Sequence, residues 1–509
     1  MKKLFQKFCG NPVFYVSLVL VFTGIFIFFV NVNPIVVYDG DDWLLMSQFR
    51  HAVPLPGYWN PGRIFQGIII PLMGMISAFV VHPVTGNYLF SFSITIAVFL
   101  AFSVSALFTV LYKLFLSLAK NRRLSLIGSL FALVFYFGFF KSKFESTYML
   151  HALNFSCVAC YVLPGLMNSI LVCVLLRYHI REIDIVPERT GKFKFGVLML
   201  FSYLGVFSIL FESFILAGYC ALCIVYTVIR DKKFEFKKLI YHIFVTAGFL
   251  VYCVFEITGA RAATDTINTF ALNASTSFVQ RIFLSFNTSL TLLRQINPVF
   301  LVFSIAVIAA AISIAVKSLI KKEESAFALP LCGCLLLVLG LYLAVIAASS
   351  IAGALFYPQF LMVMHGVFFF YFLLAALSVV FLLRAHENLL LFIPVILLFF
   401  GNELIDSNHR YSGQTGYHWT DQQLGAVRKM ELTNSWIDAM KRADKTGVAE
   451  ITLYVPVYGN LYDLPHPVHY WNSAFSTTLF VHKITNNYIT VNMEYTEGIL
   501  PPVQYWNEK

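Results

Sequence analysis

The sequence predicts an all-α polytopic membrane protein of about eleven transmembrane helices, GT-C-like in layout, with a small extracytoplasmic α/β domain at its C-terminus. Hydrophobic residues make up 59% of the 509 residues and charged residues 12%, whereas about a quarter of a soluble domain is charged. Apolar runs long enough to cross a bilayer core of about 30 Å recur along the chain. This composition excludes a soluble enzyme, a disordered chain and a nucleic-acid-binding protein.

The membrane-embedded domain is predicted to occupy residues 1–401, with its N-terminus in the cytoplasm. Lys2, Lys3 and Lys7 precede the first apolar run, and basic residues favour the cytoplasmic side of a membrane. The longer cytoplasmic turns are also basic, so the net charge of +10 reflects topology and not a nucleic-acid partner. The predicted crossings are 12–37, 88–112, 124–140, 151–176, 195–211, 213–229, 239–256, 298–316, 326–349, 360–383 and 388–401.

The segment 64–81 is predicted not to cross. It is apolar but short, and Gly67, Pro71 and Gly74 interrupt it. If it crossed, the next span would run outward and the basic residues from Lys113 to Arg123 would lie outside, against the charge rule. We therefore expect an interfacial or re-entrant segment.

The tail, residues 402–509, changes to a polar composition without a long apolar run. Thr420 with Gln423 three residues later is typical of the start of a capped helix. Two strands are predicted at 450–457 and 488–493, with a helix at 474–482 between them. We expect an α/β domain on the outer side of the membrane.

The strongest candidate for chemistry is an acidic cluster directly after the first span. Asp39, Asp41 and Asp42 lie within four residues, next to Trp43. Like charges at this spacing repel each other and raise the pKa of at least one member. No cofactor is expected, and the histidines lack the spacing of metal ligands. The three aspartates could bind a divalent ion, although nothing else in the sequence indicates one.

Further candidates are a lone carboxylate and a group of cations on the predicted outer face. Glu212 interrupts a long apolar stretch at an outer turn, where an isolated carboxylate is costly unless it is solvated or paired. Guanidinium and ammonium groups are the donors that bind phosphate at a membrane surface. Four cations on this face are candidates for that role: Arg63, Arg261, Lys141 and Lys143.

These features together resemble the GT-C class of polytopic glycosyltransferases. Closest in layout are the serotype-converting O-antigen glucosyltransferases of bacteria and their phages, and related transferases that decorate cell-wall polysaccharides. In that group an Asp-Asp pair precedes a Gly-Arg pair in the first outer loop, as Asp41-Asp42 and Gly62-Arg63 do here. A proline that often precedes the later arginine in such proteins is replaced by Thr258.

The resemblance implies transfer of a hexose, glucose-like, from a polyprenyl-phosphate donor to a polysaccharide or O-antigen acceptor, with inversion. Asp42 is the expected general base, with Asp41 as the alternative. Arg63 and Arg261 would hold the donor phosphate, and the segment 64–81 would wall a groove for the polyprenyl chain. Contacts with the substrates are expected from Asp39, Glu212, Lys141, Lys143 and Trp43.

The resemblance also implies a place in the cell and a set of partners. The protein would lie in the bacterial cytoplasmic (inner) membrane, with its C-terminus periplasmic or extracellular, and work with a lipid-sugar synthase and a flippase. Two other functions stay open from the sequence: a transporter or flippase for a lipid-linked sugar, and an O-antigen polymerase. Because a transporter has its ionisable residues near the bilayer midplane, charges gathered at one interface favour a surface enzyme.

Overall fold

A computed structural model describes residues 11–38, 40–140, 155–260, 276–320, 326–392, 396, 398–404, 418–420, 423–424, 426–457 and 471–497. Long helices form a bundle, and the tail packs on one end of it. The main helices before the tail are α1 Pro12–Val32, α2 Gly40–Met46, α3 Ile64–Thr85, α4 Tyr88–Ala119, α5 Arg122–Gly138, α6 Phe155–Ile180, α7 Lys192–Val206, α8 Leu210–Asp231, α9 Phe236–Thr258, α10 Phe278–Leu290, α11 Pro298–Ile320, α12 Ala328–Ala352 and α13 His365–Ala385.

Nine of the helices in the described ranges are long and apolar enough to cross a membrane. They are α1, α3, α4, α6, α8, α9, α11, α12 and α13. The prediction of a helical multi-pass membrane protein is therefore confirmed. Two further predicted spans, α5 and α7, form helices of 17 and 15 residues. The total of eleven crossings stays a prediction.

The helices run between two distinct ends of the bundle. α1 and α4 are antiparallel, since Asn11 Nδ2 donates to the Tyr112 hydroxyl at 2.7 Å and Ser93 Oγ donates to the Ile35 carbonyl at 2.8 Å. Basic residues gather where α4 ends and α13 ends, and Arg384 donates to the Leu118 carbonyl there. We call this the basic end, and the opposite end, where the tail packs, the tail end.

Helix α3 begins and ends at the tail end. Near its start, Gln66 donates to the Cys160 carbonyl close to the first turns of α6. Further along, a Cβ on Gly74 would lie 3.2 Å from the ring of His482 in the tail. Since α1 leaves the bundle and α4 enters it at this same end, α3 lies along the tail end. The segment is one continuous helix with Pro71 inside it, where the sequence suggested interruptions.

The last predicted span, 388–401, is described in part. A 3-10 helix covers Glu387–Phe392 beside the basic end, and residues 398–404 are helical. The Phe400 ring packs 4.4 Å from that of Phe300, and Asn297 at the start of α11 donates to Glu403. Residues 387–392 therefore lie at the basic end and Glu403 lies at the tail end.

The described tail elements are β1 His418–Thr420, β2 Gln423–Leu424, α14 Ala426–Thr446, β3 Glu450–Val457, α15 Trp471–Val481 and β4 Thr490–Glu497. β3 and β4 pair in parallel, with Glu450 opposite Thr490, so the predicted strands and the helix between them are confirmed. The helix start at Thr420 is wrong, because Thr420 pairs with Gln423 in the β1–β2 ribbon and the helix begins at Ala426.

The tail packs directly on the segment that follows α1. Trp471 Nε1 donates to the Tyr38 carbonyl at 3.4 Å, and Thr478 Oγ1 donates to the Trp43 carbonyl at 2.7 Å. The Tyr88 hydroxyl lies 2.5 Å from His482 Nδ1, which ties the tail to the first turn of α4. These contacts position α2. A separate domain at 402–509 stays a prediction.

Candidate functional site at the tail end

Asp41 and Asp42 lie in the first turn of α2, on different faces of the helix. Asp42 is fully buried, and its two carboxylate oxygens accept hydrogen bonds from the backbone N–H groups of Tyr38 (2.9 Å) and Ser156 (2.7 Å). Backbone donors therefore occupy both oxygens of this carboxylate. Asp41 is exposed. Of the two predicted bases, Asp41 is the one that solvent or a substrate can reach.

Trp43 does not belong to an open site. Its ring is fully buried and packs edge-to-face on Phe475 of α15 at 4.7 Å. The expected contact of Trp43 with substrate stays a prediction. The sequence could not reveal this burial, because the residue that covers Trp43 lies more than four hundred positions later.

Two arginines share the surroundings of Asp41. Arg63 lies at the N-terminal cap of α3, and its Nε is buried without a hydrogen-bond partner. Arg50 interacts electrostatically with Arg63, Asp41 and Cys160. Burial lowers the pKa of Arg50, with the charge of Arg63 acting in the same direction. Both guanidinium groups stay protonated at neutral pH, since the ordinary pKa of arginine is above 12.

The far side of Arg63 is lined by α9 and α6. Tyr252 and Glu256 of α9 and Tyr161 and Cys160 of α6 lie near its guanidinium. A Cβ on Gly62 would overlap the Tyr252 ring, which explains why glycine precedes this arginine. The site thus combines an exposed carboxylate with two cations, an arrangement that can accept a proton and bind a phosphate.

Four of the predicted site residues lie outside the described residues: Asp39, Lys141, Lys143 and Arg261. The two residues before Arg261 are described. Ala260 N donates to the Tyr58 carbonyl, and a Cβ on Gly259 would lie 3.1 Å from Pro61. The chain therefore reaches the loop that carries Arg63 just before Arg261.

Glu212 does not lie on a solvated turn. It is fully buried in the first turn of α8, and its Oε2 lies 2.8 Å from Nδ1 of His365 at the start of α13. The turn before α8 folds into the bundle, and the expected contact of Glu212 with substrate stays a prediction. Arg230 lies in the last turn of α8, roughly 27 Å from Glu212 at a helical rise of 1.5 Å per residue. The Glu212–His365 pair therefore lies nearer the tail end than the basic end.

The sequence analysis missed four residues of these sites: Arg50, Tyr252, Glu256 and His365. Arg50 and Glu256 carry a weak signal, since Arg50 is a charge between two apolar runs and Glu256 is a charge at the end of one. Tyr252 and His365 carry none, because a single aromatic or histidine in a span is usually a packing residue. Within the described ranges, no group of three His, Cys, Asp or Glu side chains could hold a metal ion.

No family model matches the chain, and neither a curated protein nor a solved structure matches it.

Proposed function

We propose that this protein is an integral-membrane glycosyltransferase that acts at the tail end of its bundle. It moves a hexose, glucose-like, from a polyprenyl-phosphate donor to a polysaccharide or O-antigen acceptor. One observation carries the proposal: exposed Asp41 shares its surroundings with Arg50 and Arg63, beside a helix that lies along the end of the bundle. The GT-C-like motif around Asp41-Asp42 and Gly62-Arg63 supports it.

The chemistry needs one base and one cationic site. The acceptor hydroxyl oxygen attacks the anomeric carbon, the bond from that carbon to the phosphate oxygen breaks, and the acceptor proton passes to Asp41. Arg63 and Arg50 neutralise the charge that builds on the departing phosphate. Phosphate is a good leaving group, so no general acid is needed. In-line displacement inverts the anomeric centre.

Asp42 supports this reaction from within the fold. Its bonds to the backbone of Tyr38 and Ser156 connect α2 to α6 and hold Asp41 at the surface. Arg261 extends the phosphate site in this proposal, and Lys141 and Lys143 add further donors.

Helix α3 suits a lipid-facing wall for the polyprenyl chain. Its exposed side chains are apolar: Leu72, Phe79, Val80 and Val84. The helix runs along the tail end and starts at Arg63. A polyprenyl chain packed against this surface would therefore have its phosphate near the Arg63 guanidinium. The proposal has the N-terminus in the cytoplasm of a bacterium and the tail end outside, with a lipid-sugar synthase and a flippase as partners. No cofactor is required.

A cell-free assay tests the function. Vesicles that contain the chain would receive radiolabelled polyprenyl-phosphate glucose and a polysaccharide acceptor. Label should enter the polysaccharide with the intact chain and not with an Asp41→Asn variant of equal abundance. Equal incorporation by both would overturn the mechanism.

A transporter or flippase for a lipid-linked sugar is the second candidate, because Glu212 and His365 form a buried ionisable pair between α8 and α13. The pair lies nearer one end than the midplane that transporters use, so the enzyme is favoured. Movement of a labelled lipid-linked sugar across proteoliposomes, without transfer to an acceptor, would reverse that preference. An O-antigen polymerase would instead need a lipid-linked acceptor.

A further inference from the structure

The turn between α7 and α8, residues 205–212, is a buried structural element that we call the corner. Ser208 and Glu212 are fully buried, and Ser208 Oγ donates to the Gly205 carbonyl at 2.7 Å. The corner lies inside the bundle, one layer behind the loop that carries Arg63.

The segment with Arg63 rests on this corner through two contacts. Phe65 N donates to the Phe207 carbonyl at 3.0 Å. The Tyr252 hydroxyl donates to the Ser208 carbonyl at 3.2 Å, and the ring of Tyr252 packs on Gly62. The residues on both sides of Arg63 are thus fixed to consecutive carbonyls of the corner.

Asn168 of α6 holds the corner from the other side. It is fully buried, and its Nδ2 donates to the Gly205 carbonyl (3.1 Å) and to the Glu212 carbonyl (2.9 Å). One amide therefore joins the end of α7 to the first turn of α8. The Glu212 side chain continues the chain of contacts to His365 on α13.

This polar group is expensive to bury. Asn168 Oδ1, Glu212 Oε1 and His365 Nε2 are buried without hydrogen-bond partners, and each such atom lowers the stability of the fold. An apolar interior would be more stable, so the arrangement is better explained by the geometry that it fixes.

We propose that Asn168 is a positioning residue for Arg63. Asn168 fixes the corner, and the corner determines the positions of Arg63 and Tyr252. The inference rests on the proposed function for its activity readout. In this inference the phosphate site depends on Asn168, a residue that is buried beyond the corner and contacts neither substrate.

The test is a double-mutant cycle of Asn168→Leu and Arg63→Lys. Leucine branches at Cγ as asparagine does, although its methyl groups are larger, and it removes both bonds to the corner. Because small misplacements of a binding group cost roughly ten- to a hundredfold, Asn168→Leu should raise KM for the donor about tenfold and leave kcat nearly unchanged. In the Arg63→Lys background the same change should have little further effect.

Ser304→Ala is the matched control, since it removes a partly buried hydrogen bond between Ser304 of α11 and Tyr371 of α13 that involves no residue of the corner. It should leave KM for the donor unchanged at a similar loss of thermal stability. Should Asn168→Leu fail to fold, Ser208→Ala removes one bond of the corner and should show a smaller rise in KM with the same dependence on Arg63.

A second readout separates this inference from the proposed function. The thermal unfolding midpoints of the same variants give a coupling between positions 168 and 63 without any assay of transfer. If the midpoints are non-additive but the unmodified chain transfers no sugar, the proposed glycosyltransferase function is overturned and the coupling of Asn168 with Arg63 stands. Additive effects on both KM and the midpoints would overturn the positioning role.

Discussion

Asp42 accepts a 2.7 Å hydrogen bond from the backbone N–H of Ser156, a residue 114 positions later in the chain. The bond joins the first turn of α2 to the first turn of α6. With the second bond, from Tyr38 N, it uses both carboxylate oxygens of Asp42. The two adjacent aspartates therefore have different roles, one in the fold and one in the proposed chemistry.

Asp42→Asn is expected to destabilise the protein. Asparagine can accept only one of the two bonds and turns an N–H group towards the other donor, which costs about 2–3 kcal/mol for bonds to a charged group. The thermal unfolding midpoint in detergent should fall clearly. Asp41→Asn should leave that midpoint nearly unchanged and abolish sugar transfer. A stable, inactive Asp42→Asn protein with an active Asp41→Asn protein would reverse the two roles.

Arg63→Lys should weaken the binding of the polyprenyl-phosphate donor. Lysine keeps the positive charge but loses the planar fork that binds phosphate through two hydrogen bonds, so the apparent affinity for polyprenyl-phosphate sugar should fall roughly tenfold, or about 1.4 kcal/mol. Arg294→Lys is the matched control, because Arg294 is an exposed arginine in the 3-10 helix Thr291–Gln295 between α10 and α11. Equal affinities for both variants would make Arg63 an interfacial anchor only.

The helical membrane fold could be predicted because it follows from composition and apolar run length. The strand at 450–457 could also be predicted, since alternation and β-branched residues are local properties. The burial of Trp43 and Glu212 could not, because their partners Phe475 and His365 are distant in sequence.

The site shows the same division between local and distant information. The sequence indicated Asp41, Asp42 and Arg63 through their short spacing along one loop. It could not distinguish the two aspartates, since the Ser156 amide that binds Asp42 belongs to another helix. Nor could it connect Arg63 with Tyr252 of α9.

Gly165→Ala should be strongly destabilising. A Cβ at this position of α6 would overlap the His365 ring and approach Glu212 Oε2, and overpacking of a core typically costs about 1–3 kcal/mol. Gly196→Ala is the control on α7, where nothing lies within 4 Å of the added Cβ. It should stabilise its helix by up to about 1 kcal/mol. Thermal unfolding of both variants measures the difference, and equal midpoints would contradict the tight packing at the pair.

Cysteine labelling should separate the two ends of the bundle. Arg123 is exposed at the basic end, and Asn87 is exposed in the turn between α3 and α4. In intact cells a membrane-impermeant reagent should label Asn87→Cys but not Arg123→Cys. In permeabilised cells the reagent should label both variants, after the labelling of the unmodified chain is subtracted. Labelling of Arg123→Cys from outside would contradict the predicted topology, and protection of Asn87→Cys would mean that α3 crosses.

Acid should loosen the contact between the tail and α4 through His482. Burial lowers the pKa of His482 to about 4, although a backbone contact at Met46 opposes the shift. An unfolded histidine binds a proton near pH 6.5. Between these values the unfolded state binds more protons than the native state, so stability falls as pH falls from about 6.5 to about 4.

The full effect of His482 is about 3 kcal/mol for a shift of this size. The thermal unfolding midpoint of the unmodified chain should therefore drop through this pH range, and His482→Gln, which cannot titrate, should drop less. His386→Gln is the control, because His386 is exposed beyond α13 and should behave like the unmodified chain. Parallel pH profiles for all three proteins would show that the contact of His482 with Tyr88 does not set the acid stability.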